Sequence, residues 1–313
     1  MTYHVFLRKL FIKAILGCLL ITSCGTPANS IPLNTATLQP PTPTHTQSPS
    51  MTVTITDTPP PTSTATHTQT PSQSPTPPAP TTTPTEIETI STGEVNVPIL
   101  LYHHIEGETS SNRYDVSVPD FQSQMNALQE MGYKSISLTQ FLDALLNGSP
   151  LPKKAVIITF DDGHMSVYDN AFPIMEALGF SGILYIVANR INDIPDFIDV
   201  SILKGMINAG WEVGSHSYTH ADLTYNHGFA YQEIAGSKID LEKALQVEVK
   251  TFAYPFGAFD NFLGQKVQQY DYQAGMGLGT SQRHTINTLY YLSRIEIYGD
   301  VTLDEFRQIF EED

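Results

Sequence analysis

Between Gly25 and about Gly93 the chain holds 15 of its 22 prolines, interleaved with Thr, Ser and Gln, with neither Lys nor Arg and few large apolar residues. Such a stretch cannot bury enough surface to offset the entropy of ordering it. Whatever folds must therefore lie between Glu94 and Asp313, a length that suffices for one large core. Residues 24–93 read as a disordered linker. Pro-rich chain leans to extended polyproline II at about 3.1 Å per residue, so the tract can reach on the order of 100 to 200 Å.

Ahead of the linker, residues 1–23 carry Arg8, Lys9 and Lys13 and then the apolar run Ala14–Ile21, too short to span a bilayer comfortably. This is the pattern of an export signal. It closes on Ile21-Thr22-Ser23-Cys24, which resembles a bacterial lipobox, so Cys24 is expected to carry an acyl anchor and hold the exported chain at the outer face of a membrane. The other cysteine, Cys18, falls inside the signal, which leaves no pair for a disulfide in the exported chain. The formal charge of −16 argues against nucleic acid or an anionic lipid surface as a partner. No protein partner is evident.

From Val97 onward, short apolar runs alternate with amphipathic patterns. Strands are expected at 97–102, 135–138, 155–160, 182–187, 211–215, 251–254, 272–276 and 291–297, with helices between and after them. Near-continuous apolar strands alternating with helices point to an α/β fold around a parallel sheet, closed as a barrel or doubly wound. In both forms function gathers at the carboxyl ends of the strands.

Four polar clusters fall at such ends: His103-His104, Asp161-Asp162, His216 with His220, and Tyr254-Pro255-Phe256-Gly257. Two imidazoles four residues apart can converge on one cation, and with a strand-end Asp they form a set that leaves coordination positions open. Open positions imply catalysis rather than a structural site. The adjacent carboxylates then have a reason: one can bind the cation while its neighbour stays free to take a proton from a water beside it.

The stretches Thr159-Phe160-Asp161-Asp162-Gly163, His216-Ser217-Tyr218-Thr219-His220 and Phe252-Ala253-Tyr254-Pro255-Phe256-Gly257, in this order, resemble the polysaccharide deacetylases of the NodB-homology type, carbohydrate esterase family 4. The resemblance covers about Val97 to Asp313. It implies a distorted (β/α) barrel, with Asp161 as general base and Asp162, His216 and His220 as ligands of zinc, with cobalt or nickel as alternatives. It also implies that the Phe256 backbone N–H is an oxyanion donor.

The sequence departs from the common family pattern twice. Ala253 stands where many members carry an Arg that orients the base, and Leu292-Ser293-Arg294-Ile295 replaces a Leu-x-His after the last strand. Leu101-Tyr102-His103 supplies that triplet at the end of the first strand, which neighbours the last in a closed barrel. This permuted order resembles the subgroup acting on poly-N-acetylglucosamine, and it nominates His103 as general acid ahead of His104 and His284. Arg294 is expected to supply the charge missing at Ala253. Tyr102, Phe160, Tyr168, Trp211, Tyr218, Tyr254 and Phe256 are read more as packing residues than as sugar platforms. His164 has no matching family position.

The expected function is metal-dependent removal of N-acetyl groups from an extracellular polysaccharide such as poly-N-acetylglucosamine, peptidoglycan or a chitin-like polymer. Two other readings remain at this point: an O-acetyl esterase acting on a glycan such as xylan, and a non-catalytic wall-binding lipoprotein.

Overall fold

The computed structural model describes residues 85–107, 112–192 and 194–311. Residues 1–23, read above as an export signal, Cys24, and the tract read as a linker as far as residue 84 lie outside the described residues.

Seven parallel strands form the central sheet: β1 (Ile99–Tyr102), β2 (Ala155–Phe160), β3 (Ile183–Ile186), β4 (Glu212–Ser215), β5 (Thr251–Ala253), β6 (Ala274–Met276) and β7 (Ile295–Glu296). Their spatial order is β6-β5-β4-β3-β2-β1-β7, and the short strand Lys134–Ser135 pairs with the start of β2. The curl is closed by one segment that changes partner. Leu292 bridges to Met276 of β6, while Ile295 and Glu296 lie opposite Leu100 and Leu101 of β1. Backbone bonds from Leu292 N to Gly275 O and from Gly277 N to Leu292 O, both 2.8 Å, carry the closure. The sheet is thus a distorted (β/α) barrel whose first and last strands are neighbours. The strand expected over 291–297 is reduced to Ile295–Glu296, because its first half is committed to the other edge.

Among the described residues, seven α-helices flank the sheet: α1 (Val118–Glu130), α2 (Leu138–Asn147), α3 (Phe172–Leu178), α4 (Val200–Asn208), α5 (Ser237–Leu245), α6 (Asn261–Gln269) and α7 (Leu303–Gln308). Their starts are chemically marked. The side chains of Ser117, Ser137, Asp199, Asp260 and Thr302 each accept from a backbone N–H in the first turn, satisfying donors that have no partner within the helix.

Strand alternation divides the core in two. Ile99, Ile157, Tyr185, Ala253, Met276 and Leu292 cluster inside the barrel. Leu100, Tyr102, Ile158, Phe160, Leu184, Ile186, Phe252 and Tyr254 pack outward in the cluster that the helices cover, each such side chain contributing roughly 1.5–3 kcal/mol. On β2 this parity sends Thr159 and then Asp161 inward. Gly214 of β4 serves the same interior: a Cβ there would fall 2.3 Å from Cε1 of Tyr185, so glycine is what lets that ring occupy the barrel.

Backbone pairing extends N-terminal of Glu94. Ile87–Glu88 pairs antiparallel with Leu151–Pro152, and Gly93 N bonds Leu145 O at 2.8 Å. No residue of 86–93 is buried, and Ile87 is 63% exposed, so this backbone pairing leaves no trace in hydropathy.

Candidate active site

At the carboxyl end of β2 the chain passes from Asp161, buried and directed into the barrel, to Asp162, which takes the left-handed conformation at φ 70°. The two carboxylates therefore face different surroundings. Arg294, just before β7 and also buried, grips Asp161 with both arms: Nη1 to Oδ1 at 2.7 Å and Nη2 to Oδ2 at 2.8 Å. Its Nε donates to Gly277 O at 3.1 Å, and the guanidinium lies 5.2 Å from the centre of the Tyr185 ring. Burial alone would raise the Asp161 carboxyl, but Arg294, then His216 and His103, outweigh it and bring its pKa down to about 2. Asp161 is thus an anion throughout the working range, held in a fixed plane.

Beyond β4, His216 is buried and His220 half-buried. His216 Nδ1 lies 2.9 Å from the carbonyl oxygen of Ala253, an acceptor that requires the proton on Nδ1 and leaves the Nε2 lone pair facing the carboxylates. Nε2 is 3.6 Å from Asp161 Oδ2, while His220 Nε2 is 3.5 Å from Asp162 Oδ1. One donor atom each from Asp162, His216 and His220 lies within 4.8 Å of the other two. Two imidazoles and a carboxylate at this spacing, with one imidazole's second nitrogen already tied to a backbone carbonyl, fit a divalent cation with open positions.

The loop that carries the imidazoles is held from behind by Glu233, a buried carboxylate that sequence reasoning did not single out. It accepts from Tyr218 N at 3.0 Å, Thr219 N at 2.8 Å and Thr219 Oγ1 at 2.7 Å. Glu233 sits in the widened turn Tyr231–Gly236 that leads into α5, where its charge looks in sequence like any solvated helical acid.

Asp161, Asp162, His216, His220 and Arg294 line a cleft of about 300 Å³ shared with His103, His104, Tyr114, Phe256, Glu296 and Tyr298. Among the described residues, His103 Nδ1 is a buried nitrogen without a hydrogen-bond partner, 3.9 Å from Glu296 Oε1. Burial holds the His103 pKa below its ordinary value, and the carboxylates of Asp161, Asp162 and Glu296 offset that lowering only in part. Glu296 is in turn bonded by the Tyr298 hydroxyl. His104 also reaches the cleft but is committed to Asp115, 2.7 Å from its Nδ1. His284 does not reach it: the ring is buried, with Nε2 3.1 Å from Val97 O, and burial lowers its pKa to about 4. His164 faces a separate surface hollow with Glu106 and Asp196. Of the seven aromatics weighed as platforms, only Phe256, 65% exposed at φ 60°, lines the cleft. Tyr102, Phe160, Trp211 and Tyr254 are buried on the helix side of the sheet.

Sequence comparison matches the family model described as polysaccharide deacetylase to residues 148–275. A Staphylococcus aureus protein named poly-beta-1,6-N-acetyl-D-glucosamine N-deacetylase is 27% identical over 201 residues, covering 60% of this chain and 69% of that protein. An Escherichia coli protein of the same name is 40% identical over 77 residues, 24% of this chain and 12% of its own length. Among solved structures, a polysaccharide deacetylase from Bacillus cereus superposes with a TM-score of 0.62 at 27% identity, covering 69% of each chain.

Proposed function

We propose that this chain, which belongs to the polysaccharide deacetylase family and is a hydrolase, removes N-acetyl groups from an extracellular N-acetylglucosamine polymer. The observation that carries this reading is one cleft holding a buried carboxylate clamped by Arg294, a separate two-imidazole, one-carboxylate set, and His103. The name of the Staphylococcus relative directs the choice of polymer to poly-β-1,6-N-acetylglucosamine.

Asp162, His216 and His220 would hold a divalent cation, zinc by donor type, which supplies Lewis-acid polarisation when bound. Asp161 takes the proton of the attacking water. Its two oxygens are fixed by Arg294, so the acceptor's position does not change as its charge does. As the water oxygen bonds to the amide carbon, the Phe256 N–H at the cleft wall donates to the developing oxyanion. His103 then protonates the nitrogen, the carbon–nitrogen bond breaks, and acetate and a free amine leave.

Export and anchoring through Cys24 complete the proposal, supported by the basic-then-apolar signal and Ile21-Thr22-Ser23-Cys24. Loss of fatty-acid labelling and of membrane association in Cys24→Ala is the expected result.

The test of function is acetate release from poly-β-1,6-N-acetylglucosamine, chitin oligomers, peptidoglycan and O-acetylated xylan, with and without chelator. Release from the first substrate, stopped by chelator and by Asp161→Asn, is expected. Release from xylan alone would refute N-deacetylation, and activity indifferent to chelator would refute the metal chemistry.

A further inference from the structure

Each of the two adjacent acids meets an arginine of its own. Arg294 holds Asp161 inside the barrel with two arms, whereas Arg190 reaches Asp162 with one, Nη1 to Oδ1 at 3.2 Å. This second contact is half-buried, with 29% of the Arg190 side chain and 18% of the Asp162 side chain exposed. Arg190 is not among the residues lining the cleft, so its charge arrives at Asp162 from outside the space the imidazoles face.

The oxygen it bonds is the one a cation would use. Oδ1 is also the atom 3.5 Å from His220 Nε2. Two donors on one tetrahedral cation, each at about 2.1 Å, stand about 3.4 Å apart. Oδ1 is therefore the Asp162 oxygen spaced to share a cation with His220, and it already accepts from a guanidinium. A divalent ion bonded to Oδ1 would lie no more than about 5 Å from Nη1, which sets two positive charges on one acceptor.

Arg190 is not free to swing away. It ends the turn Ala188–Arg190 that follows β3, and that turn is tied to the imidazole loop by Ala188 N to Ser217 O and Asn189 N to Tyr218 O, both 3.0 Å. Its guanidinium stands 4.7 Å from the centre of the Phe197 ring. The segment carrying Phe197 is bonded back to the Asp162 turn, through Met165 N to Asp196 O at 2.8 Å and Ile198 N to Gly163 O at 2.9 Å. Asp162 does not depend on Arg190 for its aim, because its backbone is set at φ 70° and Gly163 N bonds Asp161 O at 2.9 Å. Loss of the guanidinium removes a charge rather than a support.

We propose that Arg190 competes with the metal for Asp162 Oδ1, lowering the affinity of the donor set and keeping its cation exchangeable. This rests on the metal-dependent reading above and adds that a residue outside the donor set tunes it. A residue that braced the site would act with the opposite sign: its loss would weaken metal binding, as expected of an outer partner that orients a ligand.

The experiment measures zinc affinity of the metal-stripped full chain by competition with a chelating dye, for wild type, Arg190→Met and Arg190→Lys, at ionic strengths of about 10 mM and about 1 M. At water-like screening, repulsion between a single and a double charge about 5 Å apart corresponds to about ten-fold in affinity. Arg190→Met should therefore bind zinc about ten-fold tighter at low salt and release it to excess chelator more slowly, with the gain shrinking towards about two-fold at high salt. Arg190→Lys, which keeps the charge, should stay within about three-fold of wild type. Unchanged or weaker binding in Arg190→Met, an equal gain in Arg190→Lys, or a gain that salt leaves intact would overturn the competition. A wild-type chain that binds no zinc would refute the metal set and the competition together. Zinc binding without acetate release from any glycan would refute the deacetylase reading alone, and the three affinities would still decide the role of Arg190.

Discussion

Replacing Arg294 with Met removes the guanidinium and roughly keeps the volume, leaving Asp161 buried with no cation against both its oxygens. In the intact protein the carboxyl is displaced from 3.8 to about 2, a displacement on the order of 2 to 3 kcal/mol of stability. Because the folded value is depressed, that contribution is fully present above the unfolded value near 3.8 and is lost as pH falls through about 2. In Arg294→Met burial is no longer outweighed, so the Asp161 carboxyl moves up, above its ordinary range. The sign then reverses, and the ionised buried carboxylate destabilises the fold until acid neutralises it. Removing one partner of a buried pair costs about 3–5 kcal/mol. The expected deficit of Arg294→Met is therefore of that size at pH 7 and shrinks towards pH 4. Adding Asp161→Asn, which abolishes the buried charge, should recover about 2 kcal/mol or more of it. Urea unfolding of chelator-treated protein across this pH range gives all four corners of the cycle without a cation's charge entering. Deficits that add within about 0.5 kcal/mol, or a deficit independent of pH, would refute the clamp.

Three further outcomes follow from particular contacts. Glu233→Ala, which frees Tyr218 N and Thr219 N, should weaken zinc binding about 10- to 100-fold in a chelator-dye competition although Glu233 is not in the donor set. In Glu296→Gln one of the three carboxylates that raise the His103 pKa is gone, so the alkaline limb of the kcat/KM profile should move to lower pH; an unmoved limb would detach Glu296 from the acid. His284 is held neutral by burial, with a pKa of about 4 against 6.5, so the fold should lose stability as pH falls from 6.5 towards 4. His284→Leu should flatten that slope and leave kcat unchanged.

Much of this site was legible because strand ends are legible. Apolar runs that stop abruptly at Asp161, His216 and Tyr254 mark the functional rim of a parallel sheet whatever the sequence separation. Arg294 lies 133 residues from Asp161, yet its position before β7 and the missing charge at Ala253 together pointed to the pair. Glu233 was invisible because what distinguishes it is the loop it bonds, and that contact exists only after α5 packs. Glu296, Tyr298 and Tyr114 were missed for a related reason: a two-residue strand and a loop tip have no period to read. The aromatic candidates show a signal that was present and unused. Phe160 is adjacent to Asp161, and alternation along β2 sends those two side chains to opposite faces of the sheet.

The backbone separates functional from structural demands more sharply than composition does. Among the described residues, seven non-glycine positions have positive φ, and Asp162, Ser217, His220 and Phe256 are four of them. Such a conformation costs about 1–2 kcal/mol for an ordinary side chain, a cost that two other helix ends avoid with glycine, at Gly148 and Gly179, although Gln246 carries it at the end of α5 and Asp196 and Asp271 carry it in loops. Glycine would relieve the strain at each of the four, but at Asp162 and His220 it would delete a donor of the candidate metal set. At Phe256 it would remove the ring that meets His220. Ser217 shows the link between them: its Oγ accepts from His220 N at 2.9 Å, closing the tight loop that brings two imidazoles four residues apart to one point. The His-x-x-x-His spacing therefore converges here through a strained turn rather than one face of a helix. Its geometry depends on the packing behind the loop, above all on Glu233.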